Sequence, residues 1–174
     1  MIEVELRSFL TKEQYDSLVC LFETYGNKIK EDEQITYYFS GAQDLRIQKS
    51  KNYSKIWLKK GGMHDDAREE IEIMMPIEEF ENLERLFVQL GYEVETKWFR
   101  IRKQFLCRDI EVSLDYTKGY GYIIELERLC TEDAKEKVIE ELKKKFEEIG
   151  LEVTPKEIFD EKYRYYKENW RNLI

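Results

Sequence analysis

The sequence has few of the residues that break, cross-link or metallate a chain. It contains two Pro, eight Gly and one His in 174 residues. The three cysteines, Cys20, Cys107 and Cys130, are far apart and form no Cys-x-x-Cys pair, which argues against a disulfide framework and a thiolate zinc site. His64 lies in a polar stretch typical of a loop, so a multi-histidine metal site is excluded and a histidine-based triad is disfavoured.

Long apolar runs are absent as well. No run approaches the roughly 20 apolar residues that cross a bilayer, and residues 1–10 lack the pattern of a signal peptide. Acidic residues outnumber basic ones by 37 to 29, giving a net charge of −8, which disfavours binding to nucleic acid or anionic lipid. We therefore expect a cytoplasmic protein with no nucleic-acid or membrane partner, as a monomer or homodimer.

What the sequence does contain is enough apolar material for a core. Apolar residues make up 42% of the chain and aromatic residues 14%. No Pro/Gly/Ser-rich linker or internal repeat divides it. The prediction is one domain over residues 1–174.

Four segments show the apolar spacing and end signals of helices: residues 11–25, 76–90, 131–149 and 154–170. Thr11 with Gln14, and Thr154 with Glu157, have the spacing of a capping box. Eight other segments are typical of strands: residues 2–9, 34–39, 44–49, 55–60, 68–75, 96–107, 110–116 and 120–129. Their short polar connections favour antiparallel pairing, because parallel strands need long crossovers.

The strands have an unusual composition. Since alternate residues of a strand face opposite sides, Val4 and Leu6 lie on one face of the first strand and Glu3 and Glu5 on the other. The same division recurs in four further segments: residues 45–48, 68–73, 99–102 and 124–127. Five strands therefore present one apolar and one charged face.

Two architectures explain such faces. An open antiparallel sheet packs its apolar face on helices and leaves the charged face in water, and strand pattern alone slightly favours it. The charged face is nevertheless rich in Glu and Arg, which suit metal ligation and bidentate phosphate binding. Eight strands can close into a barrel with these charges inward, where divalent cations and an anion would neutralise them. Oxygen ligands without histidine favour Mg²⁺ or Mn²⁺ over zinc.

Short motifs follow one another between residues 3 and 127. They are Glu3-Val4-Glu5-Leu6-Arg7, Leu45-Arg46-Ile47-Gln48, Leu58-Lys59, Arg68-Glu69-Glu70-Ile71-Glu72, Arg100-Ile101-Arg102, Asp115 and Gly119-Tyr120-Gly121-Tyr122-Ile123-Ile124-Glu125-Leu126-Glu127. This ordered set resembles the ExExK, RxR, RxExE and GLGxFxExE segments of the CYTH domain, or triphosphate tunnel metalloenzyme, superfamily. That superfamily includes class IV adenylate cyclases and thiamine and inorganic triphosphatases.

The resemblance implies an α+β fold: an eight-stranded antiparallel closed β-barrel, or tunnel, with a charged lumen and helices outside. It also implies dependence on Mg²⁺ or Mn²⁺ and a small-molecule triphosphate substrate. The implied metal ligands are Glu3, Glu5, Asp115, Glu125 and Glu127, with Glu70 and Glu72 as supporting acids. The implied substrate-binding residues are Arg7, Arg46, Lys59, Arg68, Arg100 and Arg102. Those expected to be catalytic are Glu5, Arg7, Lys59 and Glu127.

Two positions depart from the family pattern. Arg7 stands where lysine is usual, and Gln48 replaces the second arginine of RxR. Arg7 keeps the charge without the compact ammonium, and Gln48 removes a cation, so affinity or activity could differ from typical members. We expect hydrolysis of the terminal phosphoanhydride of a triphosphate. A class IV adenylate cyclase and a non-catalytic polyphosphate- or nucleotide-binding module stay open as alternatives.

Overall fold

The computed structural model describes residues 2–60 and 69–174, and it contains eight strands and four α-helices over these ranges. The strands are β1 Ile2–Leu10, β2 Asn27–Phe39, β3 Asp44–Lys49, β4 Ser54–Lys60, β5 Glu69–Met75, β6 Val94–Cys107, β7 Ile110–Thr117 and β8 Gly121–Cys130. The helices are α1 Lys12–Tyr25, α2 Phe80–Gln89, α3 Lys135–Glu148 and α4 Lys156–Leu173. His64 and Arg68, singled out in the sequence, lie outside the described residues.

All eight strands belong to one antiparallel sheet in the order β1-β8-β7-β6-β2-β3-β4-β5. The sheet curls on itself, so that Glu3 on β1 comes close enough to Glu70 on β5 and Lys59 on β4 for their charges to act on its pKa. Within the described ranges no backbone ladder joins β1 to β5. The predicted eight-stranded α+β tunnel is confirmed, and its wall is a curled sheet.

Helix starts agree with the sequence in one case and depart from it in another. At α1 the amide of Gln14 donates to the Thr11 hydroxyl at 3.2 Å and Gln14 accepts from the Thr11 amide at 2.8 Å, which confirms the capping box. The box predicted at Thr154 is wrong, because Pro155 is the N-cap of α4 and no side chain caps it. The Thr154 hydroxyl instead accepts from the Phe9 amide at 3.1 Å and so ties the start of α4 to β1.

The helices cover much of the outer, apolar side of the sheet. Helices α1 and α3 pack on the side of β1 that carries Val4 and Leu6, both of which are buried. Helix α2 packs on β3, whereas α4 packs on Trp98 and Tyr120, which lie on the cavity side of the sheet. On β5 the apolar side chains Ile71 and Ile73 are 49% and 55% exposed, so the described helices leave the apolar side of this strand uncovered. No described helix combines the length and apolar composition needed to span a membrane.

Candidate metal and phosphate site

The inward side chains of the curled sheet line a cavity of about 300 Å³, to which α4 adds Phe159 and Tyr163. Among the described residues the acidic side chains of this lining are Glu3, Glu5, Glu70, Glu72, Asp115, Glu125 and Glu127. The basic ones are Arg7, Lys30, Arg46, Lys55, Lys59, Arg100 and Arg102. The described lining therefore contains seven acids and seven bases, as expected if the charged faces of the strands point inward.

Three glutamates form the carboxylate cluster of this cavity. Glu3 and Glu5 lie on β1, and Glu5 is directly opposite Glu127 on β8. One carboxylate oxygen from each of the three residues lies within 4.8 Å of the others. These three oxygen donors, all partly buried, fit the preference of Mg²⁺ and Mn²⁺ for carboxylate ligands.

The protonation of the carboxylate cluster reflects its confinement. Burial, followed by the charges of Glu5 and Glu70, raises the pKa of Glu3 to about 7. Burial, followed by Glu3 and Glu5, raises the pKa of Glu127 to about 8. The pKa of Glu5 is raised by burial and by Glu125. A divalent cation would remove the repulsion among these carboxylates, because it adds an opposite charge where like charges converge.

Asp115 and Glu125 lie outside this cluster and bind arginines instead. Arg102 donates from Nε to Asp115 Oδ1 at 2.8 Å and from Nη2 to Oδ2 at 2.5 Å, and also donates to Glu125. Arg100 Nη1 donates to Asp115 Oδ2 at 3.2 Å. Burial opposes ionisation of Glu125, but Arg102, Arg7 and Arg100 lower its pKa to about 2. A metal-ligand role for Asp115 and Glu125 stays a prediction, whereas their part in orienting the arginines is visible.

Three further bases of the lining, which the motifs predicted, are also paired with acids. Arg7 Nη2 lies 2.8 Å from Glu5 Oε1, and Lys59 pairs with Glu70. Arg46 donates to both carboxylate oxygens of Asp44, at 2.6 Å and 2.5 Å. Arg46 and Lys59 both line the cavity, as predicted. Arg68 falls outside the described residues.

Sequence reasoning missed some residues of the wall. Lys55, which belongs to none of the sequence motifs, lines the cavity and pairs with Glu72 at 2.5 Å. Its position two residues before Trp57 and four before Lys59 carried the signal, because all three share one face of β4. Lys30, Gln34 and Tyr38 of β2 were missed because the charge pattern did not mark that strand.

Aromatic side chains form one wall of the cavity: Tyr38, Trp57, Trp98, Tyr120, Phe159 and Tyr163. Trp57 is 5% exposed and has Lys55 Nζ 4.3 Å and Arg46 Cζ 5.5 Å from its ring. Its indole N–H has no hydrogen-bond partner in the part of the chain that the structure describes. This wall thus places aromatic rings beside the cations, and this indole N–H is buried.

A curled eight-stranded sheet around paired glutamates and arginines is the architecture expected from the sequence motifs. Residues 1–157 match the CYTH domain model, and the chain belongs to the CYTH domain family.

Its relatives come from distant organisms. A candidate adenylate cyclase of Methanocaldococcus jannaschii is 28% identical over 152 residues, covering 82% of this chain and 86% of the relative. A conserved hypothetical protein of Pyrococcus furiosus superposes with a TM-score of 0.77 at 19% identity, over 88% of this chain and 96% of that one. A Hippeastrum protein, described as a candidate adenylyl cyclase with a dominant triphosphatase activity, has a TM-score of 0.65 at 19% identity, over 88% and 90% of the two chains.

Proposed function

We propose that this protein hydrolyses the terminal phosphoanhydride of a triphosphate in a reaction that depends on Mg²⁺ or Mn²⁺. The observation that carries the proposal is the placement of three carboxylates within 4.8 Å of one another in the cavity that also holds paired arginines. Acids that converge in this way need a cation, and bases beside them need an anion. A metal-complexed triphosphate satisfies both, whether it is inorganic, a thiamine ester or a nucleotide.

Each group of residues has a proposed task. Glu3, Glu5 and Glu127 would hold the metal ion, which when bound would supply charge neutralisation of the phosphates and orientation of the attacking water. Arg7, Arg100 and Arg102 would donate to phosphate oxygens, with Lys59 as a further cation. Asp115 and Glu125 hold Arg102 in place, so little reorganisation is needed when charge develops on the transferred group.

The proposed hydrolysis needs no nucleophilic side chain. Phosphoryl transfer is governed by positioning and electrostatic stabilisation, because charge spreads over the oxygens of the transferred group. The triphosphatase activity described for a protein of the same fold makes hydrolysis compatible with this architecture.

The test is release of phosphate from tripolyphosphate, thiamine triphosphate and ATP by the purified chain, with Mg²⁺, with Mn²⁺ and with EDTA. We expect metal-dependent release from at least one of them, none with EDTA, and severe loss in Glu127→Gln. Glu147→Gln, which alters an exposed glutamate on α3, is the matched control and should keep the full rate. Absence of release from all three substrates would reject the hydrolase.

A second candidate is an adenylate cyclase, which the name of the Methanocaldococcus jannaschii relative favours. The aromatic wall with Trp57 and Trp98 offers a stacking surface for a base, which inorganic triphosphate does not need. Cyclic AMP and pyrophosphate as the products from ATP would select this reaction, and phosphate would select hydrolysis. Tight metal-dependent binding of triphosphate without any product would select a non-catalytic binding module.

A further inference from the structure

Gln34 on β2 occupies an unusual position next to Arg100. The two residues are paired across the β2 and β6 ladder, and both line the cavity. The amide oxygen of Gln34 accepts from Arg100 Nε at 3.0 Å and from Arg100 Nη2 at 2.7 Å. One neutral acceptor therefore holds one edge of the guanidinium in a fork.

The orientation of the Gln34 amide is fixed by a buried carboxylate. Gln34 Nε2 donates to Asp32 Oδ2 at 3.1 Å, which leaves the amide oxygen facing Arg100. Asp32 is 6% exposed and also accepts from the Ser50 hydroxyl at 2.6 Å and from the Lys51 amide at 3.1 Å. These bonds connect the β3–β4 hairpin to the amide that holds Arg100.

Gln48 completes the arrangement from the neighbouring strand. Its Nε2 donates to Gln34 Oε1 at 3.2 Å and to the Thr36 hydroxyl at 3.1 Å, and the side chain is 1% exposed. The Gln34 oxygen thus accepts three hydrogen bonds from two side chains. Because an unpaired buried donor is costly, essentially one arrangement of these side chains pairs all of their hydrogen-bond donors.

We infer that Gln34 is a positioning residue for Arg100, with Asp32 and Gln48 setting the direction of its amide. Arg100 is then held on one side by Gln34 and on the other by Asp115 at 3.2 Å. A neutral acceptor orients the guanidinium without cancelling its charge, so the charge stays available to an anion in the cavity. The value of this for phosphate binding rests on the proposed function, but the positioning itself does not.

The first experiment needs no ligand. Hydrogen exchange of the Arg100 Nε–H, followed by NMR in the metal-free protein, reports whether this donor is held. Gln34→Met should speed this exchange by about tenfold, roughly what losing one hydrogen bond to a charged group permits. The Arg102 Nε–H, bound to Asp115 at 2.8 Å, is the internal control and should not change.

Two further variants keep this test decisive. Gln34→Asn retains the amide but withdraws it by one methylene, and should speed Arg100 exchange even where Gln34→Met fails to fold. Gln104→Met removes another buried cavity glutamine, whose amide donates to Glu111 and Ser113, and should leave Arg100 unchanged. Unchanged Arg100 exchange in both Gln34 variants, or an equal change in Gln104→Met, would overturn the inference.

The second experiment measures tripolyphosphate binding by calorimetry in a double-mutant cycle. Gln34→Met should weaken binding by about tenfold in the native background and by less than about twofold in Arg100→Met, because residues that act through one group are not additive. Additive losses would mean that Gln34 acts independently of Arg100, which contradicts the inference. If the native protein neither binds nor hydrolyses tripolyphosphate, the proposed function fails, while the exchange experiment still decides the role of Gln34.

Discussion

Glu5 and Glu127 are cross-strand partners on β1 and β8, an arrangement that places two acids directly opposite each other inside the cavity. Like charges opposed in this way destabilise a sheet. Arg7, which lies 2.8 Å from Glu5, offsets part of the repulsion, and Glu3 adds to it. The fold therefore places two carboxylates where a bound cation would relieve their repulsion.

Replacing Glu127 should separate metal binding from stability. Glu127→Gln removes one proposed ligand. Loss of even an outer-shell partner lowers metal affinity by about 10- to 100-fold, so we expect Mn²⁺ affinity to fall by at least this factor. At about pH 8.5, where Glu127 is ionised, the same change removes repulsion with Glu3 and Glu5, so the metal-free variant should melt there at a higher temperature than the native protein. Calorimetric titration and thermal unfolding in EDTA measure the two effects. Unchanged Mn²⁺ affinity would remove Glu127 from the ligand set.

Stability of the metal-free protein should fall as the pH rises through neutrality. The folded-state pKa values of Glu3 and Glu127, about 7 and about 8, exceed the ordinary value of 4.5. At pH values between 4.5 and these folded-state values, the folded chain therefore binds more protons than the unfolded chain. Unfolding then becomes easier as these protons leave. We expect a lower Tm at about pH 8.5 than at about pH 6, by about 2–4 °C for each kcal/mol lost.

Two additions test the origin of this pH dependence. Mn²⁺ should raise the Tm more at the higher pH, where the carboxylates are ionised and bind it without releasing protons. Glu127→Gln should flatten the slope between the two pH values. A native slope that survives in this variant would assign the effect to other groups.

Asp115 should be important for stability whatever its role toward metal. It is 2% exposed and pairs with Arg102 and Arg100, so Asp115→Asn leaves two partly buried guanidinium groups short of a counter-charge. We expect the free energy of unfolding to fall by about 3–5 kcal/mol. Asp16→Asn, which breaks the exposed pair with Lys12, is the control and should change it little. Urea unfolding measures both, and a small effect of Asp115→Asn would contradict the buried-pair assignment.

Gly119 tests the docking of α4 onto the β7–β8 turn. Its φ is +73°, and an added Cβ would lie 2.6 Å from Leu173 Cβ and 2.8 Å from the Leu173 carbonyl oxygen. Gly150 has the same φ of +73° with nothing within 4 Å, so Gly150→Ala carries only the backbone cost of about 1–2 kcal/mol. Gly119→Ala should cost about 1–3 kcal/mol more, because α4 must shift to avoid overpacking. Equal losses in urea unfolding would show that Leu173 yields freely.

Strand parity predicted which side chains share the charged face, because parity is a local property, and the resemblance of the motifs predicted that this face encloses a cavity. Glu3, Glu5, Arg100 and Arg102 were each assigned to a charged face by their alternation with apolar neighbours, and all four line the cavity. The outward faces followed from the same rule, as the burial of Val4 and Leu6 confirms. The interpretation was less successful where a strand lacked charge alternation, as on β2 around Gln34.

The choice of partners within the cavity could not be predicted in the same way. Asp115 binds Arg102 because β7 lies next to β6 in a register that sets these two residues opposite each other. Glu127 joins Glu5 because β8 returns beside β1. Such pairings depend on the strand order, which no short segment encodes. The capping box predicted at Thr154 was wrong for a related reason, because the Thr154 hydroxyl accepts a hydrogen bond from the Phe9 amide of β1.

The equal numbers of acids and bases in the described lining affect how a ligand would arrive. The described wall has seven acidic and seven basic side chains, with a small positive excess where Glu3 and Glu127 are protonated, and the whole chain carries −8, so long-range attraction for a polyanion is weak. Recognition must then come from contacts shorter than the screening length of about 8 Å at physiological ionic strength. Lowering the salt concentration should therefore raise the association rate only slightly. A cavity entrance lined by basic residues alone would instead attract phosphates faster at low salt. Such a cavity selects an anion by how well its oxygens replace the glutamates as partners of the arginines.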